Sequence, residues 1–401
     1  MVIVPKVWHS ICTTAHPDGC ALNIQDQVIA TCSQGRRHNG PKRVLIVGAS
    51  TGYGMAARIT AAFGFGAATL GVFHDKKDRP DRVGSAGWYN TAAFHKLAEQ
   101  TGLWACSING DAFSHQTRAL TIQRIREGMR GPIDLFIYSL AAPARRLPDT
   151  GEIIHSTLKP IGAPYSGKTI DTDQDRLADI LIEPATPQEI RDTIRVMGGE
   201  DWALWTQALI EANALSKGAS TVAFSYIGSE MTWPVYGHGT IGRAKNHLDE
   251  TAVMLRARFQ SHGLGVHVAI LQASVTQASA AIPVMPLYAS LLLRVMKAQG
   301  LHENTIEQQN RLFREFLYRS DSLSPVTDTR GRFRLDDREL CNDVQQGVKA
   351  LASTVEDGNL FEVTDYLQFK REFLQLFGFA RPDLDYEVDT DIHRPFGCIE
   401  L

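Results

Sequence analysis

The sequence predicts an α/β fold in which helices cover both faces of a doubly wound parallel sheet of the Rossmann type. Two observations carry this prediction. Runs of β-branched and other apolar residues alternate with helical patterns across residues 44–143, as they do in consecutive β-α-β units. The apolar run 44–47 also leads directly into a glycine-rich turn at 48–54, which is typical of a buried parallel strand that turns into a helix.

The glycine-rich turn predicts a site for a phosphate. Its glycines, Gly48, Gly52 and Gly54, allow backbone angles that a β-carbon would forbid, and they let a phosphate reach the N–H groups at the start of the next helix. The spacing G-x-x-x-G-x-G differs from the commoner dinucleotide pattern, so a plain tight turn is the alternative. We expect the whole stretch Gly48, Ala49, Ser50, Thr51, Gly52 and Tyr53 to contact a cofactor.

The second strand, 67–73, ends at His74-Asp75, which predicts the position of an adenosine ribose. Asp75 lies 21 residues after Gly54, and an acidic residue at this distance accepts hydrogen bonds from the ribose hydroxyl groups. Its carboxylate would repel a 2′-phosphate, so NADH is favoured over NADPH. The alternative is a solvated aspartate in a charged loop.

Two further strands lead to small or polar residues at the same predicted edge. The strand 103–108 precedes Asp111-Ala112, which we expect beside the adenine, and the strand 133–138 precedes Leu140-Ala141. Small residues at the carboxyl end of a parallel strand let a cofactor approach the backbone closely.

Residues 144–200 contain several prolines and glycines, which predicts an irregular insertion with a hairpin at 156–171 near the substrate site. Helical patterns follow at 187–196 and 201–215. A fifth strand, 219–226, then ends in Tyr226.

Tyr236 and Lys245 form the predicted catalytic pair. A phenol can donate a proton, and a neighbouring ammonium group can bind ribose hydroxyl groups and favour negative charge on the phenol. The two residues are nine apart, which on one helix is half a turn out of phase. Tyr236 must therefore lie outside the helix of Lys245, with the break at 237–239 and Thr240 as the cap. The alternative is that Tyr236 is an ordinary surface tyrosine and Lys245 a solvated lysine.

A sixth strand, 265–271, leads to Ser274, Val275 and Thr276, expected near the nicotinamide. Residues 278–299 are apolar and read either as a core helix or as a mobile segment over the substrate. A helix is predicted at 301–318, a hairpin-like loop at 321–335 and a helix at 336–351, followed by an aromatic tail that should pack on the main domain.

Composition excludes several classes of protein. Hydrophobic residues make up 44% and charged residues 21% of the 401 positions, and the net charge is −3 without basic runs, so we expect no nucleic-acid or membrane partner. The six cysteines form no C-x-x-C pair, so we expect reduced thiols and no metal site. No export signal or spanning segment is evident, which favours a soluble, cytoplasmic protein.

Long strings of residues resemble the FabV-type trans-2-enoyl thioester reductases, an enlarged branch related to short-chain dehydrogenases with a Y-x8-K active site. The resemblance covers essentially the whole chain and is carried by the strings 5–7, 48–54, 84–90, 196–202, 226–228, 236–245 and 282–288. It implies NADH contacts at 48–53, His74-Asp75, 111–112, 140–141, 274–276 and Lys245. It further implies that Tyr226 contacts the substrate and that Tyr236 donates the proton. Relatives carry Phe-Glu where this chain has His74-Asp75, so acidity is kept on a shorter side chain.

The resemblance implies an oxidoreductase of lipid metabolism that catalyses the last reductive step of fatty-acid elongation. Hydride from NADH would reach the β-carbon of an enoyl-acyl-carrier protein or enoyl-CoA, and Tyr236 would stabilise the charge that develops on the carbonyl oxygen. A carbonyl or alcohol oxidoreductase and a non-catalytic NADH sensor remain alternatives. We expect a monomer with one enlarged domain. Its parts are an N-terminal extension (1–40), a dinucleotide-binding and catalytic core (41–280) and substrate-covering helices with C-terminal packing (281–401).

Overall fold

A computed structural model describes residues 1–8, 11–319 and 326–401 of the chain. The strands in these ranges are, in chain order, β1 (Val7–Trp8), β2 (Ile11–Cys12), β3 (Arg43–Val47), β4 (Ala68–Phe73), β5 (Ala105–Asn109), β6 (Ile133–Tyr138), β7 (Ala144–Arg146), β8 (Ile153–His155), β9 (Tyr165–Asp171), β10 (Arg176–Ile182), β11 (Leu215–Ser225), β12 (Gly265–Ile270), β13 (Phe333–Arg334) and β14 (Cys398–Glu400).

The helices in the same ranges are α1 (Pro17–Ser33), α2 (Gly52–Ile59), α3 (Ala86–Gln100), α4 (His115–Gly128), α5 (Pro187–Met197), α6 (Glu200–Glu211), α7 (Thr240–Arg258), α8 (Gln277–Ala280), α9 (Met285–Ala298), α10 (Thr305–Arg311), α11 (Asn342–Thr354), α12 (Leu360–Val363) and α13 (Tyr366–Gln375). One π-helical turn continues α2 (Thr60–Gly64) and another continues α10 (Leu312–Leu317). None of these helices is long and apolar enough to cross a bilayer.

The main sheet confirms the predicted α/β fold. Its eight strands lie in the order β13-β12-β11-β6-β3-β4-β5-β14, and every neighbouring pair is parallel. The strand order reverses at β3, which has β4 on one side and β6 on the other. In such sheets ligands bind in the crevice at the carboxyl ends of the strands where the order reverses.

The strand β3 shows why the sheet is buried on both faces. Its alternating side chains enter two different apolar layers: Val44 and Ile46 pack in one, and Leu45 and Val47 in the other. Because both faces are covered by helices, the strand needs apolar residues at every position rather than at alternate ones. This explains the continuous apolar run in the sequence.

The sheet has two edge strands that the sequence pattern does not predict. The loop predicted at 321–335 contains β13, which pairs with β12, while residues 321–325 lie outside the described ranges. The ring of Phe333 is buried and stacks on His267 at 4.4 Å between centroids. At the other edge, β14 pairs with β5. Each of these strands has only two or three residues, too few for a periodic pattern to indicate them.

The insertion differs from its prediction. The hairpin expected at 156–171 is replaced by a short pair, β7 with β8, and by a longer hairpin of β9 with β10. Proline cannot donate to a strand ladder, and Pro160 and Pro164 keep the chain irregular until β9 begins. Farther on, the helix expected at 336–351 begins only at Asn342, so residues 336–341 form a turn.

Candidate active site

The turn between β3 and α2 requires its glycines. A β-carbon on Gly48 would lie 2.5 Å from the carbonyl oxygen of Ser139, and one on Gly54 would lie 1.8 Å from that of Gly48. Gly48 and Gly52 also adopt φ angles of 86° and 50°, which favour glycine. The N-cap residue of α2, Thr51, makes no side-chain hydrogen bond to the helix. The first N–H groups of α2 are therefore placed to bind a pyrophosphate.

The same turn meets the ends of two other strands. A β-carbon on Gly48 would also lie 3.2 Å from the backbone nitrogen of Leu140, and one on Gly52 would lie 3.7 Å from the methyl group of Thr276. The hydroxyl of Tyr53 donates to the carbonyl oxygen of Gln272 and lies 2.9 Å from Ser274 Oγ. The fold thus brings three predicted cofactor segments together, and the side chain of Tyr53 links the turn to the loop after β12.

Asp75 is held firmly at the end of β4. Its backbone exchanges two hydrogen bonds of 2.9 Å with the side-chain amide of Asn109, and its Oδ1 accepts from Ser85 Oγ at 2.7 Å. The carboxylate lies against Gly87, in the first turn of α3, where a β-carbon would be 2.3 Å from Oδ2. His74 is exposed. The sequence pattern does not predict that Asn109, at the end of β5, and Ser85, before α3, bind Asp75.

The segments after β5 and β6 lie at the same carboxyl edge of the sheet as Asp75. Asp111 accepts a hydrogen bond from the backbone N–H of Phe113, and the carbonyl oxygen of Ala112 accepts one from Trp205 Nε1. Ala141 is exposed and Leu140 half-buried. Leu401 directly follows the short strand β14, and its side chain lies next to Gly110, a contact that the sequence pattern does not indicate.

Tyr226 and Tyr236 form a packed pair beyond β11. Their rings meet edge to face with centroids 5.1 Å apart, Tyr236 buried and Tyr226 half-buried. Burial raises the pKa of both phenols, and the charge of Glu339 raises them further. Each phenol therefore keeps its proton at neutral pH, as a hydrogen-bond donor must.

The helix α7 fixes Tyr236 relative to Lys245. Tyr236 lies in the turn before α7, outside the helix as its spacing required, and its carbonyl oxygen accepts a hydrogen bond from the N–H of Gly242 at 2.9 Å. The predicted cap is wrong: Gly239 occupies the cap position, and Thr240 is the first helical residue. The hydroxyl of Thr240 instead donates to the carbonyl oxygen of Thr157. The insertion thereby anchors the start of α7.

Lys245 lies on the second turn of α7. Burial lowers the pKa of its ammonium group to about 8, and the charge of Asp249, one turn later, opposes that shift. The group remains mostly cationic at neutral pH, which suits binding to ribose hydroxyl groups.

An apolar wall faces the loop after β12. Residues of α9 and of this loop line a small cavity together with His302: Ala273, Ser274, Val275, Ala289, Leu292, Leu293 and Met296. Their side chains are apolar except for Ser274 and His302, so this wall presents mainly apolar surface. In the described ranges, no cluster of His, Cys, Asp or Glu could hold a metal ion.

One residue of the site was not foreseen at all. Glu339 is fully buried in the turn before α11 and accepts hydrogen bonds from Tyr226 and Tyr288. In the sequence it stands among Asp336, Asp337 and Arg338, which reads as a solvated polar segment, and no local pattern marks it.

The loop after β12 contacts the glycine turn through Tyr53 and the tyrosine pair through Glu339. A glycine turn at the carboxyl edge of a parallel sheet, in a chain that also carries this tyrosine pair and Lys245, is typical of an oxidoreductase that uses a nucleotide cofactor. Family sequence models described as "NAD(P)H binding domain of trans-2-enoyl-CoA reductase" and "Trans-2-enoyl-CoA reductase catalytic region" match residues 2–80 and 82–318. The chain belongs to the trans-2-enoyl-CoA reductase family.

Curated relatives and solved structures agree with this assignment. The enoyl-[acyl-carrier-protein] reductase [NADH] of Xanthomonas campestris pv. campestris (strain 8004) is 57% identical over the full length of both chains. That of Pseudomonas putida (strain KT2440) is 55% identical, again over both whole chains. The trans-2-enoyl-CoA reductase of Clostridium acetobutulicum in complex with NADH has a TM-score of 0.94 and 40% identity, covering 98% of each chain. The Treponema denticola enzyme in complex with NAD has a TM-score of 0.93 and 42% identity, covering 97% of this chain and 98% of that one.

A third family model, described as "Enoyl reductase FAD binding domain", matches residues 327–390. The glycines of this segment do not form a pyrophosphate cradle of the kind found at the turn before α2. Of its four glycines, Gly331 lies against the side chain of Arg256 and Gly347 lies within α11 against Val295. Gly378 lies against the backbone of His16, and Gly358 precedes a helix of only four residues. The segment therefore does not fit a flavin by the arrangement that binds nucleotide phosphates.

Proposed function

We propose that this chain uses NADH to reduce the trans-2 double bond of enoyl thioesters, carried by coenzyme A or acyl carrier protein, to saturated acyl thioesters. The observation that carries the proposal is the packed pair Tyr226 and Tyr236, of which Tyr236 is anchored at the start of the helix that bears Lys245. Family membership supplies the reaction class, and this pair supplies the proton donor that the reaction needs.

The cofactor would be held along the carboxyl edge of the sheet. The N–H groups at the start of α2 would bind the pyrophosphate, Asp75 the adenosine ribose, and Lys245 the ribose next to the nicotinamide. The segments 111–112, 140–141 and 274–276 would line the adenine and nicotinamide ends. Bound NADH supplies the hydride for the β-carbon of the double bond.

Tyr236 would act on the other end of the conjugated system. Negative charge moves to the thioester carbonyl oxygen during the reaction, and a donor aimed at that oxygen stabilises the transition state more than the ground state. Burial keeps the phenol of Tyr236 protonated, because it raises the pKa of that group. The apolar side chains of α9 would accept the acyl chain and exclude water from the reacting carbons.

The test is Tyr236→Phe, assayed with crotonyl-CoA and NADH. Loss of one such donor lowers turnover by roughly 10²–10³-fold. Tyr318→Phe is the matched control, since Tyr318 packs against Phe65 and Phe313 in a different apolar layer. Turnover near that of the wild type in Tyr236→Phe would remove Tyr236 from the donor role.

The same assay separates the substrate classes. We expect reduction of crotonyl-CoA and no reduction of simple ketones, whereas a carbonyl oxidoreductase would show the opposite preference. Steady-state kinetics with crotonyl-CoA and crotonyl-acyl-carrier protein then decide which carrier is preferred. The lower kcat/KM identifies the poorer carrier.

A further inference from the structure

Glu339 is a buried carboxylate at the meeting point of three parts of the molecule. Its Oε1 accepts hydrogen bonds from the hydroxyl groups of Tyr226, at 2.8 Å, and Tyr288, at 2.7 Å. Its Oε2 accepts one from the backbone N–H of Ala273, at 2.6 Å. Tyr226 follows β11, Ala273 follows β12, and Tyr288 lies on α9. These elements belong to the tyrosine pair, the predicted nicotinamide loop and the apolar wall, respectively.

The hydrogen bonds around Glu339 all point toward it. A phenol has one proton, so a tyrosine that donates to the carboxylate has only lone pairs left for other partners. Gln345 fits this direction, because its Nε2 donates to the hydroxyl oxygen of Tyr288 at 3.3 Å and to the carbonyl oxygen of Glu339 at 2.7 Å. While Glu339 is ionised, the proton of Tyr226 is therefore committed to it and is not available to a substrate.

We propose that Glu339 is a positioning residue: by accepting the proton of Tyr226, it fixes that ring against Tyr236 and leaves Tyr236 as the single donor to the thioester carbonyl oxygen. The inference rests on the proposed function. It divides the tyrosine pair into a donor, Tyr236, and a held partner, Tyr226. The same carboxylate also accepts hydrogen bonds from Tyr288 of the apolar wall and from Ala273 of the nicotinamide loop.

The substitution Glu339→Gln tests this role without removing volume. The N–H of Ala273 requires an acceptor, so the amide oxygen turns toward it and the NH2 group faces the two tyrosines. Tyr226 then accepts a weaker hydrogen bond from a neutral group where it used to donate to a charged one, and its own proton is free to turn toward other acceptors. We expect kcat with crotonyl-CoA to fall roughly 10- to 100-fold, the effect of losing a hydrogen bond to a charged group. The KM for NADH should change less than about threefold, because contacts at the adenosine end are untouched.

A double-mutant cycle distinguishes positioning through Tyr226 from general damage. Once Tyr226→Phe has removed the hydroxyl group, Glu339→Gln should change kcat by less than about threefold. An equal loss in both backgrounds, or wild-type kcat in Glu339→Gln, overturns the proposal. Asp336→Asn is the control, since this carboxylate lies in the same buried turn but binds Arg334 rather than a tyrosine. Its kcat should stay within about threefold of the wild-type value.

A folding failure would not leave the question open. If Glu339→Gln does not fold, Tyr288→Phe takes its place in the cycle, because it removes one of the three donors to the carboxylate. Its effect on kcat must also disappear in Tyr226→Phe, and persistence there overturns the proposal. Other outcomes would contradict the proposed function itself. These are wild-type protein that does not reduce crotonyl-CoA, and Tyr236→Phe protein that reduces it at the wild-type rate.

Discussion

Asp201 and Glu339 are both buried carboxylates bound by tyrosines, yet their surroundings differ in one respect. Asp201, in the first turn of α6, accepts from Arg118 Nη2 at 3.0 Å and from the hydroxyl of Tyr138 at 3.1 Å. Glu339 accepts from Tyr226, Tyr288 and a backbone N–H group. In the described ranges, an arginine pairs with the first carboxylate and no cation is hydrogen-bonded to the second.

We interpret Asp201 as a residue that joins elements of the fold and Glu339 as a residue of the candidate site. Burial raises the pKa of Asp201 to about 6, with Arg118 opposing the shift, and raises that of Glu339 to about 7, opposed only by hydrogen bonds. Asp201 joins α6 to α4 through Arg118 and to the carboxyl end of β6 through Tyr138. A strongly perturbed carboxyl group next to a predicted proton donor is instead typical of a functional site. The two carboxylates therefore differ in whether a hydrogen-bonded cation balances their charge.

The largest effect should follow from removing the cation of Asp201. Arg118→Met leaves the carboxylate of Asp201 buried without its hydrogen-bonded cation, which costs on the order of 3–5 kcal/mol of unfolding free energy. Arg118 also lies over the ring of Trp205, at 5.4 Å, so packing is lost as well. Urea denaturation at pH 7.5 measures the change.

Arg124→Met is the matched control on the same helix. Arg124 pairs with Glu127 at the surface, at 3.4 Å, and such pairs are worth about 0–1 kcal/mol. Similar losses in the two variants would contradict the structural role assigned to Asp201.

The cofactor side of the molecule could be predicted from the sequence because its signals are local. The strand, the turn and the helix at 43–59 are consecutive, and the glycine spacing reflects steric limits within the turn itself. Asp75 follows its strand directly, so its place at the edge also came from local order. The break between Tyr236 and the helix of Lys245 followed from helical geometry alone.

The part of the candidate site around Glu339 depends on contacts between residues that are distant in the sequence, and no local pattern reveals such contacts. Tyr226 and Tyr288 lie 113 and 51 residues from Glu339, and Ala273 lies 66 residues from it. The turn at 336–341 carries charges that suggest a solvated helix, and only tertiary packing buries one of them. The edge strands β13 and β14 were not predicted, because their partner strands lie far away in the sequence.

A second prediction uses pH to compare the two carboxylates. The folded-state pKa of Glu339, about 7, lies above its ordinary value near 4.3. A group whose pKa is raised by folding stabilises the protein below its unfolded pKa, and this stability is lost as the pH rises through the folded pKa. Wild-type protein should therefore lose up to about 3 kcal/mol relative to Glu339→Gln between pH 4.5 and 8.

Asp201 should also destabilise the protein as the pH rises, over a lower and narrower range of pH. Its pKa of about 6 means that the corresponding loss relative to Asp201→Asn is nearly complete by about pH 7. Urea unfolding at half-unit steps of pH measures both curves. If the curves of wild type and Glu339→Gln run parallel, Glu339 does not titrate in this range.

The smallest effects should come from removing one tyrosine hydroxyl from each carboxylate. Tyr138→Phe leaves Asp201 with Arg118, so we expect a loss of about 1 kcal/mol, the net value of a typical hydrogen bond. Tyr288→Phe leaves Glu339 with one phenol and one N–H group and without a cation, so the loss should approach about 2–3 kcal/mol when the carboxylate is ionised. At pH 5, where Glu339 is mostly protonated, the two losses should converge, because a neutral carboxyl group needs fewer donors. Urea unfolding at pH 8 measures both losses. If the loss is larger for Tyr138→Phe than for Tyr288→Phe, the paired cation does not compensate for the missing hydroxyl group. The contrast between the two sites would then be wrong.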